Sequence, residues 1–267
     1  MREVDQALAR VYAQRVTRER AGAVPAPHVT PRAPEPATEG ADPGTYQFVE
    51  RTQIRPFDRP GLEWPATVRA LERQFGDRFD RMADLLIQAR EQRRLKVFLF
   101  TSCHRAEGRT TLVLTLARAL ARRPGRTLLV DGDLTGPMLA RQLGMRPETG
   151  LDDVVEDGVA LSEALLESAE DHLTVLPLRA PVARPREFLA SPAWSCAMAR
   201  LRREFDMILV DGSPMFAGLN AAVLHRSVDA AVLVHNRSLT GERALLRARE
   251  VLDAGGVPLL GLAETFV

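Results

Sequence analysis

Residues Ser102–Thr111 read "SCHRAEGRTT". The apolar run "KVFLF" (96–100) precedes them, and "LVLTLARALARR" (112–123), apolar at helical spacing, follows. A strand, a short loop and a helix in that order offer unpaired N–H groups and the positive end of a helix dipole, which suits a phosphate. Gly108 lets a ligand come close to the backbone, and Thr110 has its hydroxyl where such loops bind Mg²⁺. The full pattern GxxxxGK followed by Ser or Thr is not met. Cys103 stands at the first glycine and Arg109 at the lysine. An ordinary strand-to-helix turn accounts for the stretch as well, so the surrounding chain has to decide.

Around the loop, residues 95–267 alternate. Strand-like runs are "KVFLFTS", "TLLVD", "LTVLPL", "MILVDG", "AAVLVH" and "PLLGLA". Helical patterns cover 108–123, 137–143, 160–169, 187–204, 218–226 and 240–254. Short buried strands alternating with helices predict an α/β fold, a mostly parallel sheet with helices on both faces. Ligands of such sheets sit beyond the carboxyl ends of the strands. There the sequence places Asp131 and Asp133 in "LLVDGDLTGP" and Asp211 in "VDGSP". Two acids as close as Asp131 and Asp133 repel unless a cation or bound water uses them. The alternative is a polar turn whose aspartate caps the next helix. An aspartate at the end of a buried strand, as Asp211, is where P-loop ATPases hold Mg²⁺ through water.

The N-terminal part reads differently. Residues 1–20 have Val4, Leu8 and Val11 on one helical face, predicting a short amphipathic helix. Residues 21–62 hold eight of the 18 prolines and predict a disordered linker before a domain at 63–267. In 66–92 the spacing of Val68, Leu71, Phe75, Phe79, Met82, Leu85 and Leu86 predicts a helix with these residues facing the core. A net charge of +1 gives no reason to expect a nucleic-acid partner. Cys103 and Cys196 form no metal or disulfide pattern and fit a cytoplasmic setting. No apolar run reaches the ~18–20 residues of a membrane span. Of 36 basic residues Lys96 is the one lysine; the rest are arginine.

Taken in order, these segments resemble the ATPase domain of the bacterial tyrosine kinases (BY-kinases) of capsule and exopolysaccharide assembly, relatives of the MinD/ParA ATPases. "TSCHRAEGRTT" is similar to that family's "TSxxPGEGKST", which also lacks the first glycine. "LLVDGDLTGPML" is similar to its DxDxRxP motif, "GLDDVV" to "GLSDVL", "RPREFLASPAW" to "NPxELLxS", "FDMILVDGSP" to "YDxVIIDTPP", and "SVDAAVLVHNRSLT" to "xVDxxxLVVRxxxT". The likeness covers about residues 95–262, two thirds of the chain. It implies a P-loop NTPase of the SIMIBI, MinD-like type, with ATP or ADP and Mg²⁺ as cofactors. Ala106, Glu107, Gly108, Arg109, Thr110 and Thr111 would bind the nucleotide. Thr110, Asp131 and Asp211 would organise the metal, and Asp133 would be the base that accepts a hydroxyl proton.

The departures from the family pattern are Ala106 for a glycine, Arg109 for the lysine, and Thr135 or Gly136 for an arginine. Arginine is longer, planar and forked, so a catalytic cation at 109 is expected to bind phosphate better than it supports turnover. Arg105 is either solvated, a phosphate contact, or an arginine finger acting in trans. The two tyrosines, Tyr12 and Tyr46, precede the domain, so no tyrosine cluster is expected as phosphorylation target. The resemblance implies a cytoplasmic protein held at the inner membrane by a polysaccharide co-polymerase or export component, with a homo-oligomer possible. The alternatives are a non-catalytic scaffold on the same fold and a MinD/ParA-like positioning ATPase.

Overall fold

In the computed structural model, residues 57–59, 61–216 and 227–266 are described. The expected helix at 1–20, most of the linker and the helix at 218–226 lie outside them. Among the described residues, eight strands form one sheet: β1 (Phe57–Arg59), β2 (Val97–Ser102), β3 (Thr127–Gly132), β4 (Leu166–Ser168), β5 (Leu173–Leu176), β6 (Met207–Gly212), β7 (Ala230–His235) and β8 (Leu259–Glu264). Their order across the sheet is β1-β4-β5-β3-β6-β2-β7-β8. All neighbours run parallel except β4 and β5. The helices are α1 (Ala66–Arg93), α2 (Arg109–Ala121), α3 (Leu139–Gln142), α4 (Leu151–Glu156), α5 (Leu161–Ala164), α6 (Pro185–Ala190), α7 (Pro192–Glu204) and α8 (Glu242–Ala254).

The central strands are buried on both faces, and their period of two sorts the core into two layers. Val97, Leu99, Leu128, Val130, Ile208 and Val210 face a layer containing α4 to α8, built around Trp194, Leu201 and Leu252. Phe98, Phe100, Leu129, Met207 and Leu209 face the other, where α1 and α2 contribute Val68, Leu86, Leu116 and Leu120. Each fully buried Phe or Leu contributes about 1.5–3 kcal/mol. The expected parallel α/β sheet is therefore present, and α2 leaves directly from the β2 loop.

Local differences have local causes. The expected linker does not run to residue 62: β1 pairs with β4, and Leu62 and Trp64 are buried. Of the helix expected at 160–169 only one turn, α5, forms. Leu166–Ser168 goes into the sheet, and pairing with β1 and β5 outweighs the apolar spacing of this stretch. The helix expected at 187–204 is two, broken at Ser191 (ψ 147°). A residue before proline avoids helical backbone, and Ser191 Oγ instead accepts from the Trp194 N–H at 3.1 Å. In α1 the helix is kinked at Phe75 (φ −131°), and Leu85, expected in the core, points to solvent.

One side chain fastens the start of the domain. Asp171, after β4, accepts from the Leu62 N–H, the Trp64 Nε1–H and the Ser168 hydroxyl, each at 2.7 Å. Burial opposes ionisation there, but these donors and nearby Arg118 hold the carboxyl below its ordinary range. Arg118 also stacks on Trp64, 4.6 Å from its centroid. Replacing Asp171 by alanine leaves these donors unanswered. We expect a loss of about 1–3 kcal/mol in urea unfolding, and faster proteolysis near residue 62. An unchanged midpoint would mean that packing alone holds this segment.

Candidate functional site

The parallel register of β3 and β6 pairs Asp131 with Asp211 and Gly132 with Gly212. Two acidic side chains therefore end adjacent strands side by side, with β2 and its loop on the far side of β6. Gly212 is required by close approach: a Cβ there would lie 2.5 Å from Leu99 Cδ1 and 3.1 Å from the Phe100 carbonyl oxygen.

The loop after β2 has an unusual backbone. Gly108, at the start of α2, is left-handed (φ 79°), and so is Ala106 (φ 63°). A β-carbon at Ala106 carries strain that a glycine would not. Among the described residues no backbone group accepts from the amides of Ala106, Glu107 or Gly108. These donors and the first turn of α2 make the cradle that suits a phosphate. Thr111 sits in that first turn, its carbonyl accepting from Thr115. The side chain of Glu107 faces away from this role. It is buried, and it accepts from the His104 N–H at 2.7 Å, the Asn236 N–H at 3.2 Å and the Thr240 hydroxyl. It thereby ties the loop to the segment after β7. Cys103 is buried, and burial followed by Glu107 pushes its thiol up to about 11, so it is an inert core residue.

Arg109 turns back onto the strand ends. Its Nε donates to Asp211 Oδ1 at 2.7 Å, one terminal nitrogen to Asp133 Oδ2 at 3.1 Å, and the other to Ser102 Oγ at 3.2 Å. Thr110 donates to the second oxygen of Asp211 at 2.7 Å. Asp211, expected to organise the metal, has two protein partners. Full burial pushes its carboxyl up, while Arg109 and Thr110 oppose this. Burial also works against the charge on Arg109, and Asp211 and Asp133 restore it. A guanidinium stays protonated, so a cation is fixed beside Asp211 and Asp133. Removing one partner of such a buried pair costs about 3–5 kcal/mol.

Asp133, the expected base, is equally engaged. Arg109 and Arg105 (3.2 Å) donate to one oxygen, and Ser213 and Thr135 (3.0 Å each) to the other. Arg105 is thus not simply solvated, although it is half-exposed; it bridges Asp133 and Thr135. Asp131 follows the capping alternative. Its oxygens accept from the N–H groups of Asp133, Met138 and Leu139 at 3.0–3.2 Å, the last two opening α3. Ser102, at the end of β2, and Ser213 belong to the site without a role read from the sequence, because a lone serine has no distinguishing pattern.

Thr110, Asp131 and Asp211, expected to organise Mg²⁺, are turned to protein partners. Every carboxylate oxygen of the three aspartates already accepts from at least one protein donor. Among the described residues no three acidic, histidine or cysteine side chains form a group able to hold a metal. The residues fit a phosphate but, in this arrangement, not a divalent cation.

Burial, then the charges of Asp211 and Asp133, push the Asp131 carboxyl up to about 7 against the N–H groups that hold it. The folded protein therefore binds this proton more tightly than the unfolded chain. Its linked contribution falls as pH rises from about 4 to about 7 and is level outside that window. We expect the stability of the natural protein relative to Asp131→Asn to decline across that range in thermal unfolding. A gap independent of pH would mean that Asp131 titrates as an ordinary carboxylate.

No family model matches the chain. It is 30% identical to tyrosine-protein kinase CpsD of Streptococcus pneumoniae over 170 residues, covering 63% of this chain and 75% of that protein. It is 29% identical to tyrosine-protein kinase YwqD of Bacillus subtilis, with 63% and 71% covered. Among solved structures, the VpsO kinase domain superposes with a TM-score of 0.65 at 24% identity over 74% of this chain and 98% of that one. MinD of Pyrococcus horikoshii, complexed with Mg-ADP, superposes with a TM-score of 0.52 at 26% identity over 62% and 68%. The run of motifs, the P-loop fold and the identity to CpsD agree, and the chain belongs to the bacterial tyrosine kinase family of P-loop ATPases.

Proposed function

We propose that the protein is a nucleotide-binding member of this family, acting in exopolysaccharide or capsule synthesis or export with its phosphoryl transfer weakened. The observation that carries the reading is the clamp of Arg109 on Asp211 and Asp133, beside a loop whose amides stay available. The amides of 106–110 and the start of α2 bind the phosphates, which needs no particular side chain at 109. Asp133 shares a salt-bridged, four-donor environment and is poorly placed to take a proton from a tyrosine or water. Arg109 holds its charge at the strand ends, whereas catalysis needs it on the γ-phosphate as the bond breaks.

No helix among the described residues is long and apolar enough to cross a membrane. The proposed setting is therefore peripheral, through a membrane-embedded polysaccharide co-polymerase, with ATP or ADP as the bound species. The scaffold alternative becomes the better reading if no nucleotide binds.

The test is phosphate release, the natural protein against Arg109→Lys combined with Ala106→Gly. Lysine frees one of the two carboxylates, and glycine removes the strain at φ 63°. The double variant should hydrolyse ATP at least about tenfold faster, which corresponds to ~1.4 kcal/mol of barrier. Asp211→Asn placed in that variant should return the rate to background. Brisk hydrolysis by the natural protein that falls in the variant would make Arg109 an adapted catalytic residue and overturn the proposal.

A further inference from the structure

We infer that Arg109 takes the place of the divalent cation, so that this site binds the polyphosphate of a nucleotide without Mg²⁺. The inference rests on the nucleotide reading above but concerns what neutralises the site. Mg²⁺ requires near-octahedral oxygen ligands at about 2.0–2.1 Å, free to turn their lone pairs towards it. Here Asp211 offers one oxygen to the Arg109 Nε–H at 2.7 Å and the other to Thr110 at 2.7 Å. Thr110 is turned onto that same carboxylate, whose other oxygen Arg109 holds. Asp133 has two donors on each oxygen, and the oxygens of Asp131 are held by three amides. An ion arriving at Asp211 would also meet a fixed positive charge bonded to the oxygen it needs.

The guanidinium supplies what a bridging metal supplies. It lies between two carboxylates from different strands, β6 and the end of β3, and it is itself buried, 8% exposed. Because it is covalently part of α2, its charge is present before any ligand arrives. Of its five N–H donors, three are engaged, with Asp211, Asp133 and Ser102. The other two, the amides of 106–108 and the half-exposed Arg105 are the donors left for phosphate oxygens. That set recognises an anion by hydrogen bonds and charge, and none of it needs a metal to bridge to the phosphate.

Two measurements on the full chain test this. In the first, ADP is titrated in EDTA and in excess Mg²⁺. The natural protein should bind with affinities that agree within about threefold, whereas Arg109→Lys should gain about tenfold or more from Mg²⁺. A tenfold gain in the natural protein overturns the inference. In the second, no nucleotide is present, and thermal unfolding is followed with Mg²⁺ or Mn²⁺ added. Arg109→Ala leaves the acidic cluster without its cation and should be restabilised by either metal, while the natural protein should not respond. If metal returns none of the stability lost in Arg109→Ala, or stabilises the natural protein equally, the equivalence of arginine and metal is wrong. Should Arg109→Ala fail to fold with or without metal, the ADP comparison with Arg109→Lys decides. Absence of ADP binding in both buffers would instead defeat the nucleotide reading, and the unfolding experiment would still judge the role of Arg109.

Discussion

One buried guanidinium governs the carboxyl end of the sheet. Without Arg109, Asp211 would be a fully buried carboxylate with no cation beside it and Asp133 would keep only the half-exposed Arg105, and such buried charges tend to acquire protons. With it, the ends of β2, β3 and β6 are drawn to a common point through Ser102, Asp133 and Asp211. The phosphate loop, the turn after β3 and the turn after β6 are all anchored there. The charge that a bound ligand usually completes is already balanced within the protein.

The chain shares its fold with its relatives. The sheet superposes on the VpsO kinase domain and on MinD complexed with Mg-ADP. Against the pattern it resembles, the loop differs at two positions with direct consequences, Arg109 and Ala106. The first places a guanidinium against the carboxylates at the strand ends. The second places a β-carbon where φ is 63°. The scaffold is retained and the electrostatics of its mouth are altered, a reminder that fold and activity are separable.

Much of this was legible in the sequence, and the exceptions have physical causes. The central strands stand out because burial on both faces demands uninterrupted apolar runs such as "MILVDG". Strands β1 and β4 do not stand out, because three-residue strands such as "FDR" and "LES" carry no periodicity. At the site, the positions of Asp131, Asp133 and Asp211 followed from strand ends, but their partners did not. Whether a carboxylate faces a ligand, a helix N-terminus or an arginine depends on side-chain rotamers that spacing does not encode. The signal that could have exposed the clamp was present: an arginine long enough to reach back, next to two acids one strand apart.

The buried carboxylate of Glu107 has a kinetic consequence. It binds the loop at His104 and reaches across to Asn236 and Thr240, while its carbonyl accepts from Thr265 at 2.7 Å. A loop braced from three sides keeps its shape when empty. An anion that reaches it does not have to wait for the loop to order, and it spares that entropy on binding. Association is then limited by diffusion and access, and differences in affinity among ligands are expressed in how fast they leave.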